Sequence, residues 1–392
     1  MALNRTIRYG MVGGGPSAFI GEVHRRAARL DGKMELTAGA FSSDPDKSRR
    51  MGRELHLAED RVYGSYDEMA ECEAALPDDE RIDVVSIVTP NHLHFEVART
   101  FIERGFHVVC DKPLTTTLED AEALCRLVSE RDVVFALTHS YASYPMVKQA
   151  RELVHEGELG EIRKVVAEYP QGWLATALEK AGDKQAAWRT DPERAGVSAA
   201  IGDIGSHAEH LARYVTGLNA EALFAETTSF MEGRALEDDA TILVRYEGGA
   251  RGLLYCSQVS VGEKNSLRLR VYGTKASLDW QQEAPNQLAV RYADAPDETY
   301  ERGGAYLAGA AQANARLPVG HPEGFIEAFA NVYRAVAADI AARSDDGGST
   351  SELLDYPTVR DGALGVHFIH KAIESAEREK WVDAQYAPPF SG

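Results

Sequence analysis

The chain has 392 residues, of which 44% are hydrophobic and 26% are charged, and its formal net charge at pH 7 is −19. This length is sufficient for two domains of ordinary size, and the acidic excess disfavours nucleic acid or an anionic membrane surface as a partner. The four cysteines are scattered without a C-x-x-C pair, which favours reduced, buried thiols. No stretch approaches the length of a membrane span, and the first residues lack the apolar segment of a secretory signal, so we expect a cytoplasmic protein.

The first third of the chain alternates short apolar strands with helical segments. Strands are predicted at residues 6–12, 34–41, 82–88, 106–110 and 133–138, with helices at residues 20–30, 96–104 and 118–131. Near-continuous apolar strands separated by helices are typical of a parallel sheet that is covered on both faces. We therefore predict an α/β fold that begins with a doubly wound Rossmann domain over residues 1–139.

A glycine cluster follows the first predicted strand and precedes the first predicted helix. Gly13, Gly15 and Ala18 fit the G-x-G-x-x-G/A fingerprint of dinucleotide sites. In that fingerprint the first glycine allows a tight turn, the second lets backbone approach a pyrophosphate, and the third small residue lets helix and strand pack. Glycine clusters also form ordinary turns, but the strand–turn–helix context and the free N–H groups of the helix start favour a cofactor site. Its predicted members are Gly13, Gly14, Gly15, Ser17, Ala18, Phe19 and Ile20.

The end of the second predicted strand bears on the choice of cofactor. NAD enzymes commonly carry an acidic residue there, which binds the ribose 2′-hydroxyl, whereas NADP enzymes carry small polar or basic residues. This chain has Ser42 at the expected position, followed by Ser43 and Lys47, although Asp44 is also near. We predict that Ser42, Ser43 and Lys47 contribute to a nicotinamide cofactor site, and the sequence leaves NAD and NADP open.

The pattern changes after about residue 140, where strands with two-residue alternation appear. They are predicted at residues 162–169, 222–230, 241–246, 252–257, 267–272 and 277–281, with a hairpin turn at residues 246–250. We predict an α+β domain over residues 140–392 with a large, mostly antiparallel sheet that packs one face against helices. Leu253, Tyr255, Leu269 and Tyr272 cannot all point to one side, so the open face would carry an apolar patch. Such a patch predicts a homo-oligomer, at least a dimer.

Three further motifs complete the candidate site. Thr89-Pro90-Asn91-His92-Leu93-His94 ends the third predicted strand, and Cys110-Asp111-Lys112-Pro113-Leu114 ends the fourth. The third motif, Gly202-Asp203-Ile204-Gly205-Ser206-His207-Ala208-Glu209-His210, leads into a helix. Together with the glycine fingerprint, these motifs resemble the glucose-fructose oxidoreductase, inositol dehydrogenase and rhizopine-catabolism family, Gfo/Idh/MocA. The resemblance extends to residues 321–329 and so spans most of the chain.

The resemblance implies an enzyme that uses NAD or NADP to oxidise a ring secondary alcohol of a sugar, sugar derivative or cyclitol, or to reduce the matching ketone. That reaction needs a base for the hydroxyl proton and a group that stabilises negative charge on the oxygen. By the resemblance, Lys112 would donate to the reacting oxygen, Pro113 would stiffen its turn through a bond that is often cis in the family, and His207 would accept the proton. Asp203 lies four residues before His207, on the same helical face, and an ordinary histidine pKa near ~6.5 suits a base.

The resemblance also implies positions around the cofactor and a mode of assembly. The cofactor residues it implies are Thr89, Pro90, Asn91, His94, Asp111, Lys112 and Pro113. Related enzymes pair the open faces of their sheets across a two-fold axis and often build tetramers, so we expect a homodimer or homotetramer.

Two departures from the family pattern bear on the substrate. Many members carry Asp where this chain has His210, and His139-Ser140-Tyr141-Ala142-Ser143 stands in place of an Asn-x-Arg segment. We predict that the substrate, a small carbohydrate or cyclitol, contacts a set of polar and aromatic side chains. That set is Lys112, Trp188, Arg189, Asp203, His207 and His210.

Plainer alternatives exist for these residues. Trp188 could be a core residue, and Asp203 could serve only as a helix N-cap. Asp203, His207 and His210 also have the spacing of a metal triplet, but no H-E-x-x-H motif occurs, and we predict no metal. The alternative functions are a non-catalytic regulator of the same fold that senses NAD(P) or a sugar, and a metal-dependent isomerase or hydrolase.

Overall fold

Two sheets organise the molecule. The computed structural model describes residues 5–16, 18–344 and 355–389. Within these residues, a five-stranded sheet is followed along the chain by a nine-stranded sheet, which confirms the predicted α/β architecture.

The five-stranded sheet is parallel throughout and has the order β2-β1-β3-β4-β5. Its strands are β1 (Ile7–Gly13), β2 (Met34–Ala40), β3 (Val84–Val88), β4 (His107–Cys110) and β5 (Phe135–Leu137). Its helices are α1 (Phe19–Leu30), α2 (Pro45–Glu54), α3 (Tyr66–Ala75), α4 (His94–Ile102) and α5 (Leu118–Arg131). The order reverses between β1 and β3, so a crevice opens beyond the carboxyl ends of these two strands.

The nine-stranded sheet is antiparallel except where β6 runs parallel to β9. Its strands are β6 (Ile162–Pro170), β7 (Ala220–Thr228), β8 (Asp239–Tyr246), β9 (Arg251–Ser257), β10 (Arg268–Gly273), β11 (Ala276–Gln281), β12 (Gln287–Tyr292), β13 (Glu298–Glu301) and β14 (Val382–Asp383). The remaining helices are α6 (Pro145–His155), α7 (Lys184–Arg189), α8 (Pro192–Ala195), α9 (Ser206–Thr216), α10 (Gly309–Ala313), α11 (Phe325–Ser344) and α12 (Val359–Arg378). The predicted hairpin at residues 246–250 joins β8 to β9.

One face of the large sheet forms a core with α6, α9 and α12. The last two long helices also return to the first sheet. Phe329, Val336 and Ile340 of α11 pack with Ile7 and Tyr9 of β1. On the other side, residues of α12 join the core built on β3, β4 and β5. The carboxyl ends of the parallel strands are therefore held close to the start of α9.

The other face of the large sheet carries partly exposed side chains. Leu243, Leu253 and Val166 lie side by side on neighbouring strands, and Tyr272 is 39% exposed. Leu269 points to the helix-covered face, where it is buried. The predicted division of apolar side chains between two faces is thus present.

Two properties inferred from composition can be compared with the structure. Cys110, Cys125 and Cys256 are buried, but Cys72 is exposed on α3, so the expectation of buried thiols is wrong at that position. Among the described residues, none of the helices is both long enough and apolar enough to cross a membrane.

Candidate active site

The glycine turn between β1 and α1 approaches its neighbours too closely for side chains. A Cβ atom at Gly15 would lie 2.6 Å from the Phe41 carbonyl oxygen, and one at Gly13 would lie 2.8 Å from that of Val88. Gly13 and Gly14 also have φ values of +86° and +70°. The turn therefore leaves open backbone at the start of a twelve-residue helix, the arrangement that accepts a pyrophosphate.

The close contact between this turn and α1 is not made at Ala18. A Cβ atom on Gly21 would lie 2.4 Å from Cα of Gly14, whereas Ala18 precedes the helix. The packing role predicted for Ala18 therefore belongs to Gly21, one helical turn further on. Phe19 is exposed and Ile20 half-buried at the helix start, and Ser17 lies outside the described residues.

The end of β2 carries the hydroxyl group of Ser42 at the position where NAD enzymes commonly carry an acidic residue. Ser42 Oγ accepts a hydrogen bond from the Asp44 N–H at 3.1 Å, and Ser43 is exposed beside it. The Asp44 carboxylate caps α2 by accepting from the N–H groups of Asp46 and Lys47, and it pairs with Lys47 Nζ at 3.1 Å. Asp44 is therefore engaged by its own helix rather than free at the strand end.

His94 joins two of the loops that end the parallel strands. Its ring is fully buried, with Nδ1 2.8 Å from the Pro113 carbonyl oxygen and Nε2 2.9 Å from that of Thr89. With both nitrogens on backbone carbonyls, His94 positions these loops, and a direct contact with cofactor is not the role its geometry supports. Asn91 donates to the Ala195 carbonyl oxygen at 3.5 Å, and Pro90 precedes it at the strand end.

Lys112 and Asp203 meet at the centre of the site. The Lys112–Pro113 peptide is cis, and Lys112 Nζ donates to Asp203 Oδ1 at 2.9 Å and to the Asp203 carbonyl oxygen. Asp111 Oδ1 accepts from the Lys112 N–H and from Thr138 Oγ1. Both side chains of the Lys112–Asp203 pair are less than 15% exposed. A lysine from the loop after β4 and a carboxylate from the turn before α9 are thus brought together.

Two further donors hold the second oxygen of Asp203. Arg189 Nε and Gln258 Nε2 each lie 2.9 Å from Asp203 Oδ2. Burial alone would raise the pKa of this carboxyl, but the charges of Arg189 and Lys112 outweigh burial and hold the pKa well below its usual range. The Arg189 guanidinium also lies over the Trp188 ring, 4.2 Å from its centroid. Asp203 is therefore ionised and oriented by three side chains.

A π-helical turn precedes α9 and carries Asp203. The turn spans Ile201–Gly205, and buried Glu237 accepts hydrogen bonds from Ser198 Oγ and from the N–H groups of Ala199 and Ile201. Such single turns are frequent at functional sites because they shift side chains relative to a regular helix. Asp203 is held inside this turn, so its role as a simple N-cap of α9 is not supported.

His207 lies in a cluster of three histidines. Its Nδ1 is 3.3 Å from Nδ1 of His139, and the ring of His139 is stacked on that of His210 with centroids 4.3 Å apart. Burial lowers the pKa of His207 well below its ordinary value, and the charge of Lys112 lowers it further, while Asp203 offsets part of the shift. His210 is 2% exposed with Nε2 3.7 Å from Asp361 Oδ1. His210 thus packs on His139 beside Asp361, and its contact with the substrate stays a prediction.

Known proteins resemble this chain over nearly its whole length. Residues 7–139 match an oxidoreductase family with an NAD-binding Rossmann fold, and residues 147–279 match the GFO/IDH/MocA C-terminal domain. An uncharacterized oxidoreductase, YfiI, of Bacillus subtilis (strain 168) is 34% identical over 385 residues, which cover 97% of this chain and 98% of that protein. The chain belongs to the Gfo/Idh/MocA family of oxidoreductases.

Solved structures of this family share the fold. The crystal structure of an inositol dehydrogenase homolog from Azotobacter vinelandii with NAD+ has a TM-score of 0.93 at 40% identity and covers 97% of this chain and 98% of that chain. An inositol dehydrogenase homolog from the same organism, with NADH and myo-inositol, has a TM-score of 0.89 at 38% identity and the same coverage, 97% and 98%. A levoglucosan dehydrogenase of Pseudarthrobacter phenanthrenivorans is 28% identical over 337 residues, which cover 78% of this chain and 81% of that protein. The predicted family and its NAD-binding domain are thereby confirmed.

This Gfo/Idh/MocA oxidoreductase has a polar wall that sequence reasoning missed. Tyr141 and Tyr169 share a 2.5 Å hydrogen bond, and Tyr169 donates to Asn265 Oδ1 at 2.6 Å. Gln171 donates to the same Asn265 oxygen at 2.7 Å and accepts from Trp173 Nε1 at 3.0 Å. The Tyr141 ring meets the His207 ring edge-on, so this wall adjoins the predicted base.

Asp203, His207 and His210 of this family member have the sequence spacing of a metal triplet. In the part of the chain that the structure describes, no group of three or more His, Cys, Asp and Glu side chains is arranged to hold a metal ion. The Asp203 carboxylate faces Lys112, Arg189 and Gln258. A metal triplet of Asp203, His207 and His210 therefore has no support from the geometry.

Proposed function

We propose that this protein is an NAD(P)-dependent dehydrogenase that oxidises a ring secondary alcohol of a sugar, sugar derivative or cyclitol, or reduces the matching ketone. The observation that carries the proposal is the convergence of Lys112, Asp203 and His207 at the carboxyl ends of the parallel strands. Lys112 supplies a fixed positive charge, and His207 supplies a neutral base. These are the two groups that alcohol oxidation requires.

The glycine turn fits a dinucleotide, because side chains are excluded where backbone must approach the phosphates. A bound nicotinamide would supply the hydride acceptor for oxidation and the hydride donor for reduction. We assign its binding to the turn of Gly13, Gly14 and Gly15, to the start of α1, and to the loops that follow β2, β3 and β4.

The chain's own residues handle the substrate oxygen. Lys112 Nζ donates to the hydroxyl oxygen and stabilises the negative charge that develops as the proton leaves. His207 accepts that proton at Nε2, because its Nδ1 faces His139. Asp203 orients Lys112 by accepting its Nζ hydrogen bond.

The proposed substrate class is supported by the polar wall beside His207 and by the ligands of related proteins. Amide and hydroxyl groups of Gln171, Asn265 and Tyr169 offer both donors and acceptors, which suits a polyhydroxylated ring. Myo-inositol is bound in the related structure from Azotobacter vinelandii, and levoglucosan is the substrate named for a second relative. The retained Lys112, Asp203 and His207 argue against a regulator that only senses a ligand.

A substrate screen tests this function directly. Free sugars, glycosides, anhydrosugars and inositols should be offered with NAD and with NADP, and formation of reduced cofactor followed by absorbance. We expect turnover of at least one cyclic polyol, and its loss in the Lys112→Met variant. Tight binding of cofactor and polyol by calorimetry without turnover of any compound would favour the sensing regulator.

We expect His207→Ala to lower kcat by about 10²-fold or more, the usual contribution of a general base. The pKa of His207 is lowered by burial and by Lys112, so its neutral form persists to lower pH than in an ordinary histidine. The acidic limb of kcat/KM in the oxidation direction should accordingly lie below pH ~6.5. Near-normal turnover in His207→Ala would show that His207 is not the proton acceptor.

Ser42→Asp tests the cofactor preference. If NADP is preferred, the new carboxylate should repel the 2′-phosphate, so KM for NADP rises and preference shifts towards NAD. If NAD is preferred, the substitution should leave NAD binding unchanged or improved. Kinetics with both cofactors decide between these outcomes, and an unchanged NADP preference would show that Ser42 is not at the ribose. Ser229→Asp, at an exposed serine after β7 that is assigned to no site, serves as the control.

We also propose that two copies pair through the open face of the nine-stranded sheet. Leu243, Leu253 and Val166 form an apolar row on that face, which soluble monomers rarely leave uncovered. Light scattering during size exclusion should give at least twice the 42.8 kDa mass of one chain. We expect Leu253→Glu to weaken the assembly, and a single-chain mass at micromolar concentration for the unmodified protein would exclude the dimer.

A further inference from the structure

The contact between His139 and His207 involves the same nitrogen of each ring. The two Nδ1 atoms are 3.3 Å apart, and the rings are nearly perpendicular at 85°. Both residues are at least 90% buried. A neutral imidazole carries one proton, so in this contact one ring donates its Nδ1–H and the other accepts with its Nδ1 lone pair.

We propose that His139 is a positioning residue that accepts the Nδ1–H of His207 and so keeps the Nε2 lone pair of His207 free for the substrate proton. The inference rests on the proposed function, since it concerns the base of that reaction. It assigns a role to the segment that departs from the family's Asn-x-Arg pattern. In the described part of the chain, His139 is the only hydrogen-bond partner of the His207 side chain.

Only one direction of this hydrogen bond fits both the neutral and the protonated form of His207. If His139 donated instead, neutral His207 would carry its proton on Nε2 and could not accept another there. After His207 accepts the substrate proton at Nε2, both of its nitrogens carry hydrogen, and its Nδ1–H again needs an acceptor. His139 Nδ1 therefore accepts the hydrogen bond both before and after His207 takes the substrate proton, and no proton moves between the two rings.

The surroundings of His139 hold its ring in place. One face stacks on His210 at an interplanar angle of 7°, and His210 lies beside Asp361, which also accepts from Arg213 Nη1 at 2.9 Å. Burial lowers the pKa of His139 well below its ordinary value, and the adjacent His210 and His207 lower it further. Asp361 raises it and Lys112 lowers it by smaller amounts. A neutral ring, which this hydrogen bond requires, is thus the stable form.

The other neighbours of His207 do not offer the same acceptor. Tyr141 and Tyr169 approach its ring at centroid distances of 4.8 and 6.2 Å, but their hydroxyl groups are bonded to each other and to Asn265. Lys112 and Asp203 act on His207 through their charges. Loss of His139 would therefore leave the buried Nδ1–H of His207 unpaired, and the proton would move to Nε2.

The experiment uses three variants of the full chain. His139→Phe keeps a ring against His210 but removes the acceptor, and His139→Asn keeps an amide oxygen near the position of Nδ1. The matched control is His367→Phe, because His367 is a buried histidine stacked on Tyr386 at 4.4 Å, away from the site. Circular dichroism establishes that each variant folds.

The first readout is the tautomer of His207, read from ¹⁵N imidazole spectra of the free protein and assigned with His207→Gln. We expect the Nδ1–H form in the unmodified protein, in His139→Asn and in His367→Phe, and a shift to the Nε2–H form in His139→Phe. An unchanged tautomer in His139→Phe would overturn the proposal. This measurement needs no substrate, so it stands even if the proposed dehydrogenase activity fails.

The second readout is kinetic. We expect His139→Phe to lower the pH-independent kcat by about 10-fold or more, a part of the roughly 10²-fold or larger effect of the general base itself. KM and cofactor affinity should stay within about two-fold, because His139 acts through His207. His139→Asn should recover most of the activity. If His139→Asn is as impaired as His139→Phe, the effect is one of packing and the proposal is wrong.

Discussion

Replacing Lys112 by methionine should lower kcat by about 10²-fold or more while leaving the fold and the cofactor affinity nearly intact. In the proposed mechanism the ammonium group is the cation that acts on the substrate oxygen, and methionine keeps most of the length of the side chain without its charge. The fold should survive because Asp203 Oδ2 still accepts from Arg189 Nε and Gln258 Nε2. Steady-state kinetics at saturating cofactor and a thermal unfolding curve measure the two effects.

Two controls sharpen the interpretation of Lys112→Met. Lys275→Met removes an exposed lysine whose Nζ donates to the Gly157 carbonyl oxygen, and it should leave kcat unchanged. Lys112→Arg keeps the charge but replaces a compact donor with a planar fork, so it should recover only part of the rate. A Lys112→Met variant with near-normal kcat would show that the lysine serves only to neutralise Asp203.

Much of the fold was predictable because periodic apolar patterns dominate its buried strands. All five residues of β3 are buried, and β8 alternates buried and exposed positions along its length. The helix α2 was missed because its sequence is highly polar, and α3 because its apolar residues do not form one helical face. What starts them is capping, by Asp44 with Pro45 in α2 and by Ser65 in α3. The strands β12 to β14 were also missed, and of these β13 and β14 are short strands at the two edges of the large sheet.

The residues of the candidate site were predictable where they belong to a local sequence motif. Lys112, Asp203 and His207 stand in ordered motifs, and parallel-strand ends meet at one edge of a sheet. Gln258 and Asn265 reach the site through the register of β6, β9 and β10, which no local pattern encodes. The contact of Gly21 with Gly14 likewise depends on how α1 crosses β1. His210 shares a helical face with the site but turns to Asp361.

Replacing Arg302 by methionine should lower the free energy of unfolding by about 3–5 kcal/mol, the usual cost of breaking a buried ion pair from one side. Arg302 and Glu323 are each at least 95% buried, with Arg302 Nη1 2.8 Å from Glu323 Oε1. The same guanidinium donates to the carbonyl oxygens of Leu317, Pro318 and His321. Its loss would leave the buried Glu323 carboxylate without its countercharge and three carbonyl oxygens without this donor.

The pair matters to the site because it organises the segment between β13 and α11. Arg316 within that segment binds Asp31 just beyond α1, and α11 packs on the strand that leads into the glycine turn.

Urea and thermal unfolding measure the loss of stability in Arg302→Met. Arg291→Met removes a half-exposed arginine whose partner Asp279 keeps its pair with Arg268, so it should cost no more than about 1 kcal/mol. The double variant Arg302→Met, Glu323→Leu should recover part of the loss, because it removes the stranded carboxylate as well. If Arg302→Met unfolds at the same urea and temperature midpoints as the unmodified protein, solvent reaches this pair. The ion pair between Arg316 and Asp31 would then be the contact that holds the segment against α1.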